Sequence, residues 1–309
     1  MKSDSKGVVF AALAGNLLVA ATKTVAALFT GSSAMASEAV HSFVDSGNQL
    51  LLLYGMRQAK KDRDENHPLG YGRELYFWSF VVAILVFAGG GAVSIFQGVF
   101  HLHAPEPIEN PFVSYLVLGL SLVFEGGTWW VAARSFHASK GSLSYWQAIV
   151  KSKDPPKFMV LLEDSAAIIG IVIALIGTWA SVTFDEPRLD GIASILIGLV
   201  LTVVAIILAR ESKALLIGER ASQTTHNAIV KLAGSARGIV SVNYLITSQL
   251  GPQAVIAALS LEFEDQLKTP DIEDIVDHLE KTVRTKHPEI TALFVKPEKP
   301  PKPNDPAKS

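Results

Sequence analysis

FWSFVVAILVFAGGGAVSIFQGVF, residues 77–100, carries no charge and is broken only by Ser79, Ser94 and Gln97. About 20 apolar residues cross the hydrocarbon core of a bilayer, and only helices or closed barrels satisfy their backbone there. A run this long reads as a transmembrane helix, extended by one flank to Leu75–Phe100. Five further segments have the same character: Val8–Thr30, Ala34–Met56, Phe112–Ser135, Phe158–Val182 and Leu189–Ala209. Ala34–Met56 is the least apolar, because Glu38, His41, Asp45, Asn48 and Gln49 fall inside it. Lys2 and Lys6 precede the first segment as they would in a signal peptide. That run is too long and ends in no small-residue cleavage pattern, so it reads as the first span.

The composition agrees. Hydrophobic residues make up 49% of the 309, charged ones 18%, and mean hydropathy is +0.33. A soluble domain carries about 25% charged residues, and the deficit here is concentrated in residues 1–210. A net charge of −2 gives no pointer to nucleic acid. The absence of cysteine excludes disulfides, thiolate metal sites and a cysteine nucleophile. Basic residues gather on one set of loops: Lys2 and Lys6, then Arg57 to Arg73, then Arg134 to Lys157, then Arg210 and Lys213. The opposite loops hold only Arg188. Positive charge stays on the cytoplasmic side, so both termini are expected there. The connection Phe136–Lys157 reads either as a short interfacial helix before Pro155-Pro156 or as a solvated linker.

After the last span the pattern becomes that of a soluble domain. Gln223–Ser235 has helical periodicity, with Ile229, Leu232 and Ala233 on one face. Val240–Ser248 and Val255–Glu264 alternate as strands around the turn Gln249-Leu250-Gly251-Pro252. Asp271–Lys286 is a second helix with Ile272, Ile275, Val276, Leu279 and Val283 as its stripe, and Thr291–Val295 a third strand. The expected fold is an α-helical membrane protein. Six transmembrane helices (1–211) precede a small cytoplasmic α+β domain of order αββαβ, ferredoxin-like (212–297), and a disordered tail (298–309). With roughly 75 ordered residues the small domain is marginal alone, which favours dimerisation through it.

The chemical signal lies in Ser37-Glu38-Ala39-Val40-His41-Ser42-Phe43-Val44-Asp45. Residues three and four apart share a helix face, so Glu38, His41, Asp45 and Asn48 form one polar stripe. A charge at mid-bilayer costs about 2.5–3.5 kcal/mol on insertion scales, so such a stripe faces protein, water or an ion. Glu163 and Asp164 on the fifth span, Glu125 on the fourth, and Asn16 and Lys23 on the first add to it. Simpler readings stand beside this one. Lys23 and Glu125 read equally as an ion pair, Asn16 as an interhelical hydrogen bond, and Glu163 as a carboxylate snorkelling to the surface. His41 and Asp45 at i, i+4, facing Asp164, suit a hard-to-borderline divalent cation.

These motifs together resemble the cation diffusion facilitator family of divalent metal/proton antiporters. The resemblance runs through Asn16, Lys23, Gly31-Ser32, Glu38, His41-Ser42-Phe43-Val44-Asp45, the loop His67-Pro68-Leu69-Gly70-Tyr71-Gly72-Arg73-Glu74, and Asp190-Gly191-Ile192-Ala193-Ser194. It implies a transport site of His41 and Asp45 completed by a His and an Asp one turn apart on the fifth span. Asp164 matches the second of these, and Val160, which binds no metal, stands at the first. The chain therefore looks like the divergent branch of the family related to animal zinc transporter nine. Water, Asn48 or a carboxylate such as Glu163 then fills the fourth position, and water is the simplest, since an ideal helix turns Glu163 about 100° from Asp164. Glu38, Asn48, Glu163, Glu125 and His67 are candidates for accessory metal binding or proton coupling.

Tyr71 stands where the family carries a second loop histidine, leaving His67 alone. Asn243, Ser260 and Phe294 stand where some members carry metal-binding histidines in the tail domain, so dimerisation there is expected to need no metal. His226, His278 and His287 are expected on solvated faces. His101 and His103, beside Glu106, read as an outer loop able to capture or release metal. The resulting expectation is a homodimeric secondary antiporter of the bacterial inner membrane. It exports Zn²⁺ from the cytoplasm against protons by alternating access, with no cofactor and no nucleic-acid partner. An exporter of Mn²⁺, Co²⁺ or Fe²⁺ and a non-transporting scaffold with an incomplete site are the alternatives. The chain holds no catalytic signature such as His-Glu-x-x-His, so no enzyme is expected.

Overall fold

Apolar runs too long for strands become helices in the computed structural model, which describes residues 4–299, and residues 4–15 by backbone alone. In chain order these are α1 (Asp4–Thr30), α2 (Ser33–Gln58) and α3 (Glu74–Leu85), which passes through a π-helical stretch (Val86–Ala92) into α4 (Val93–His103). There follow α5 (Pro111–Ser139), α6 (Tyr145–Lys151), α7 (Pro155–Phe184) and α8 (Arg188–Ile217). Helices occupy all six predicted segments. Glu74–His103, Pro111–Ser139, Pro155–Phe184 and Arg188–Ile217 are long and apolar enough to cross a membrane. The described apolar part of α1, Asn16–Thr30, is shorter, and α2 falls short through its polar stripe.

The third segment departs from the expected single α-helix. Gly89, Gly90 and Gly91 sit in its π-helical stretch, a form that ordinarily appears as short bulges. A Cβ on Gly91 would press on Thr202 of α8, and one on Gly98 on the Gly191 carbonyl. Small residues let the two helices approach closely, and Ser194 adds a hydrogen bond to the Ser94 carbonyl at 2.8 Å. The Phe136–Lys157 connection does contain a helix, α6. Ser144 opens it with a capping box, and its Ala148 and Ile149 are buried against Phe136 and Phe158.

Helix entries follow from local chemistry. Gly31 takes φ +66°, which turns the chain between α1 and α2. The N-terminus of α2 is then held by Asp190 of α8, whose Oδ2 accepts from the Ala34 amide at 3.1 Å and whose Oδ1 accepts from the Ser32 hydroxyl at 2.8 Å. A carboxylate at a helix N-terminus satisfies orphan amides and complements the dipole.

Contacts divide the chain into two units. One joins the residues up to Arg57 with Phe77–Lys213; the other joins Gln58–Tyr76 with the residues from Ala214 onward. In the second unit α9 (Gln223–Gly234), β1 (Ile239–Gly251), β2 (Ala254–Phe263), α10 (Thr269–Lys286) and β3 (Ile290–Pro297) give the expected αββαβ order. The sheet runs β1-β2-β3, with β1 and β2 antiparallel and β2 and β3 parallel. A full ferredoxin-like unit begins with one more strand. Without it β3 pairs directly with β2, and the α10 crossover makes that pair parallel. Ile229, Leu259, Leu261, Leu279 and Val283 form the core between helices and sheet. Residues 300–309 of the tail expected to be disordered lie outside the described residues.

The Gln58–Tyr76 loop is closed by its own hydrogen bonds. Asp64 accepts from the Tyr71 hydroxyl at 2.5 Å and from the His67 amide at 2.7 Å, and lies 3.1 Å from His67 Nδ1. The His67 and Tyr71 rings stack at 4.1 Å. The Tyr71 bond, ahead of the His67 contacts, holds the Asp64 carboxyl below the usual carboxylate range and pushes the Tyr71 phenol up. Gly72 packs its backbone on Leu250 and Gly251 so tightly that a Cβ would fall 2.5 Å from the Leu250 carbonyl oxygen.

Candidate functional site

Helix periodicity sets the polar stripe of α2 facing α1, α5 and α7, and the structure sorts its members into two groups. The first is an ion cluster around Lys23. Lys23 Nζ of α1 lies 3.1 Å from Glu38 Oε2 and 2.8 Å from Glu125 Oε1 of α5, with Lys23 and Glu38 fully buried. One cation thus ties three helices, and the ion-pair reading of Lys23 and Glu125 holds. Gly170 of α7 makes room for this arrangement: a Cβ there would strike Glu38 Oε1.

The second group surrounds a cavity of about 840 Å³ between α1, α2, α5 and α7. Asp45, Glu125, Val160, Glu163 and Asp164 line it, with Pro156 and Lys157 at the N-terminal end of α7. Asp45, Glu163 and Asp164 lie within reach of one another's charge. His41 Nε2 is 3.3 Å from Asp45 Oδ2, but the two are not aligned as a hydrogen bond. Both His41 nitrogens, Asp45 Oδ1, Asp164 Oδ2 and Asn48 Oδ1 are buried without a hydrogen-bond partner, as are Glu38 Oε1 and Glu125 Oε2 next to them. Buried polar atoms are ordinarily paired, so this concentration of orphans marks a place built for something else.

Glu163 was expected to turn away from Asp164, or to snorkel. It is instead buried, lines the same cavity, and accepts a hydrogen bond from Asn48 Nδ2 at 3.2 Å. The phase of a helix relative to its neighbours, which decides this, comes from packing and carries no mark in local sequence. Asn16 donates to Gln49 Oε1 at 3.0 Å, the interhelical bond expected of it. His41, Asp45 and Asp164 are not drawn into a formed coordination sphere: among the described residues no three His, Asp or Glu side chains are grouped closely enough to hold a metal ion.

The remaining candidates lie elsewhere. His67 belongs to the clasp around Asp64. His101 is in the last turn of α4 rather than on a loop, buried with Nε2 unpartnered, while His103 is exposed with Nδ1 2.8 Å from the Val99 carbonyl. In the tail domain Asn243 Nδ2 donates to Ser260 Oγ at 3.3 Å and to the Glu298 carbonyl at 2.9 Å, and Ser260 donates to Glu298 Oε2 at 2.8 Å. Phe294 is exposed, His278 is exposed on α10, and His287 lies 3.2 Å from Glu289 Oε1.

The sequence is similar to known proteins. Residues 9–217 match the family model for the cation efflux transmembrane domain. The chain is 31% identical over 271 residues to the mitochondrial proton-coupled zinc antiporter SLC30A9 of Xenopus laevis, covering 87% of this chain and 48% of that protein. It is 29% identical over 265 residues to metal tolerance protein C4 of Arabidopsis thaliana, covering 85% and 58% respectively. With the cation-efflux pump FieF of Yersinia enterocolitica the identity is 25% over 271 residues, covering 86% and 83%. The chain spans about half the length of the zinc antiporter it matches.

Proposed function

The chain belongs to the cation efflux family, and from that premise we propose that it is a secondary transporter exporting divalent cations, Zn²⁺ first, against protons. The observation that carries this reading is the cavity that ends on buried, unpartnered oxygens of Asp45 and Asp164, beside an unpartnered imidazole. Zinc is the named ion of the SLC30A9 relatives. The same reading has α1 and α2 crossing the membrane with the four apolar helices, for six spans in all. Both termini face the cytoplasm, on the loop-charge argument, and two copies pair through the tail domain in the inner membrane.

The chemistry follows from the side chains. His41 must be neutral, and Asp45 and Asp164 ionised, to bind a cation. Metal binding requires the ligand groups to give up any proton they carry, so binding releases protons. Exchange of one for the other couples the two fluxes. The cavity is lined by Pro156 and Lys157 at the N-terminal end of α7, the end at which a cytoplasmic ion would enter in this reading. Alternation of access between the two sides around a fixed site moves the ion.

Purified protein in liposomes, with Zn²⁺ inside one set and outside another under an imposed pH gradient, tests this. Zn²⁺ flux accelerated by an opposing proton gradient is the expected result. Stoichiometric Zn²⁺ binding with no flux would favour the scaffold reading that Val160 keeps open.

A further inference from the structure

We propose that Glu163 supplies the donor that Val160 lacks, completing with Asp45, Asp164 and His41 an oxygen-rich site that takes Mn²⁺ as well as Zn²⁺. The proposal rests on the transport reading and specifies its substrate class.

Val160 and Asp164 are four apart on α7 and share a face, and both line the cavity. A valine side chain offers no electron pair, so the turn before Asp164 contributes nothing to a cation. Glu163 fills the deficit from the neighbouring face. It is 6% exposed, lines the same cavity as Asp45 and Asp164, and is close enough to Asp45 for their charges to interact. Its long side chain reaches toward α2, where Asn48 holds one carboxylate oxygen. Asn48 is itself fully buried and its Oδ1 has no partner. Asn48 sits three residues after Asp45, so the asparagine holding Glu163 and the aspartate facing it share one face of α2. A glutamate with no purpose at this depth would be costly. Held here by an amide of its own, Glu163 is a positioned group.

The donor set this creates is one imidazole and three carboxylates. Carboxylate and carbonyl oxygens suit Mn²⁺, whereas zinc sites draw more on nitrogen and sulfur. A site of this composition discriminates less against Mn²⁺ than one with two imidazoles.

The test uses the full chain, with Mn²⁺ and Zn²⁺ as separate probes in calorimetric titration and in competitive flux from liposomes. In Glu163→Gln the amide oxygen still accepts from Asn48, so the helix contact survives while the charge is lost. Mn²⁺ affinity should fall by about tenfold or more, at least the loss typical of a group that supports a metal site. Zn²⁺ affinity should fall less, and the Zn²⁺:Mn²⁺ flux ratio should rise. Adding Val160→Asp to Glu163→Gln returns an oxygen to the face of Asp164 and should recover Mn²⁺ binding. Unchanged affinity for both ions in Glu163→Gln would overturn the proposal. So would an equal loss of both that Val160→Asp does not relieve, since that marks a structural role. A wild-type chain that moves neither ion would instead sink the transport reading.

Discussion

The cavity among the helices and the polar cluster of the tail domain are built from similar groups and left in opposite states. In the tail, Asn243 of β1, Ser260 of β2 and Glu298 after β3 bond to one another across the sheet, with Ser241, Tyr244 and Lys296 as further partners. Among the helices, His41, Asn48, Asp45 and Asp164 each keep an atom buried and unpaired. An unmade buried hydrogen bond costs about 1–3 kcal/mol, so a fold keeps several in one place only where a ligand completes them. Polar satisfaction thus separates the proposed transport site from the tail cluster. The Lys23 cluster is the comparison beside it: Lys23 pairs with one oxygen each of Glu38 and Glu125, and the second oxygen of each stays unpaired.

The largest effect should fall on that cluster. Lys23→Met leaves Glu38 and Glu125 facing each other without a cation, and removing one partner of a buried ion cluster costs about 3–5 kcal/mol. Thermal unfolding in detergent should show a large drop in melting temperature. A variant that unfolds like wild type and loses only transport would move Lys23 into the site.

Next comes Asp164→Asn, which removes a charge from the unsatisfied group. Zn²⁺ flux should fall by about 100-fold, the upper end of what lost support of a metal costs, with melting temperature held or raised. Equal loss of stability and flux would break the contrast between the two regions.

In the tail, Asn243→Ala should cost about 1 kcal/mol, the worth of an ordinary hydrogen bond. Hydrogen exchange of β1 and β2 amides reads this directly. Adding Zn²⁺ to the wild type should leave that protection unchanged, and a zinc-dependent gain would mean the cluster is still a metal site.

The smallest effect belongs to the loop clasp. Asp64→Asn should raise exchange of the 61–72 amides a few-fold. Because the folded state holds Asp64 below its usual value, the clasp persists as pH falls through the ordinary aspartate range and opens only below it. Opening at higher pH would show that the Tyr71 bond does not hold the carboxylate.

Much of this was legible from sequence for a simple reason. A bilayer demands long apolar runs, and a half-buried sheet demands alternation, so helices and the αββαβ order leave periodic traces that survive without any partner. The i, i+4 spacing of His41 and Asp45 is likewise a property of one helix. What stayed hidden depends on pairs distant in the chain. Glu38 reads as part of the metal stripe, yet Lys23 of the neighbouring helix takes it, and Glu163 turns to Asn48 because of how α7 is rotated against α2. The π-helical stretch is a third case. Three glycines permit it, but Val44 of α2 against Gly89 and Leu201 and Thr202 of α8 against Gly90 and Gly91 fill the space they leave.

The size of the cavity bears on the order in which an ion is undressed. Each water claims about 30 Å³ of liquid volume, and about 840 Å³ accommodates far more than one hydrated ion. A cation can therefore travel to the carboxylates with its hydration shell intact and shed it only where Asp45 and Asp164 take over. On the proposed transport reading, selection then falls at these carboxylates, by the ease with which an ion trades water for carboxylate. Mg²⁺, which dehydrates reluctantly, would enter freely, wait, and leave by the way it came.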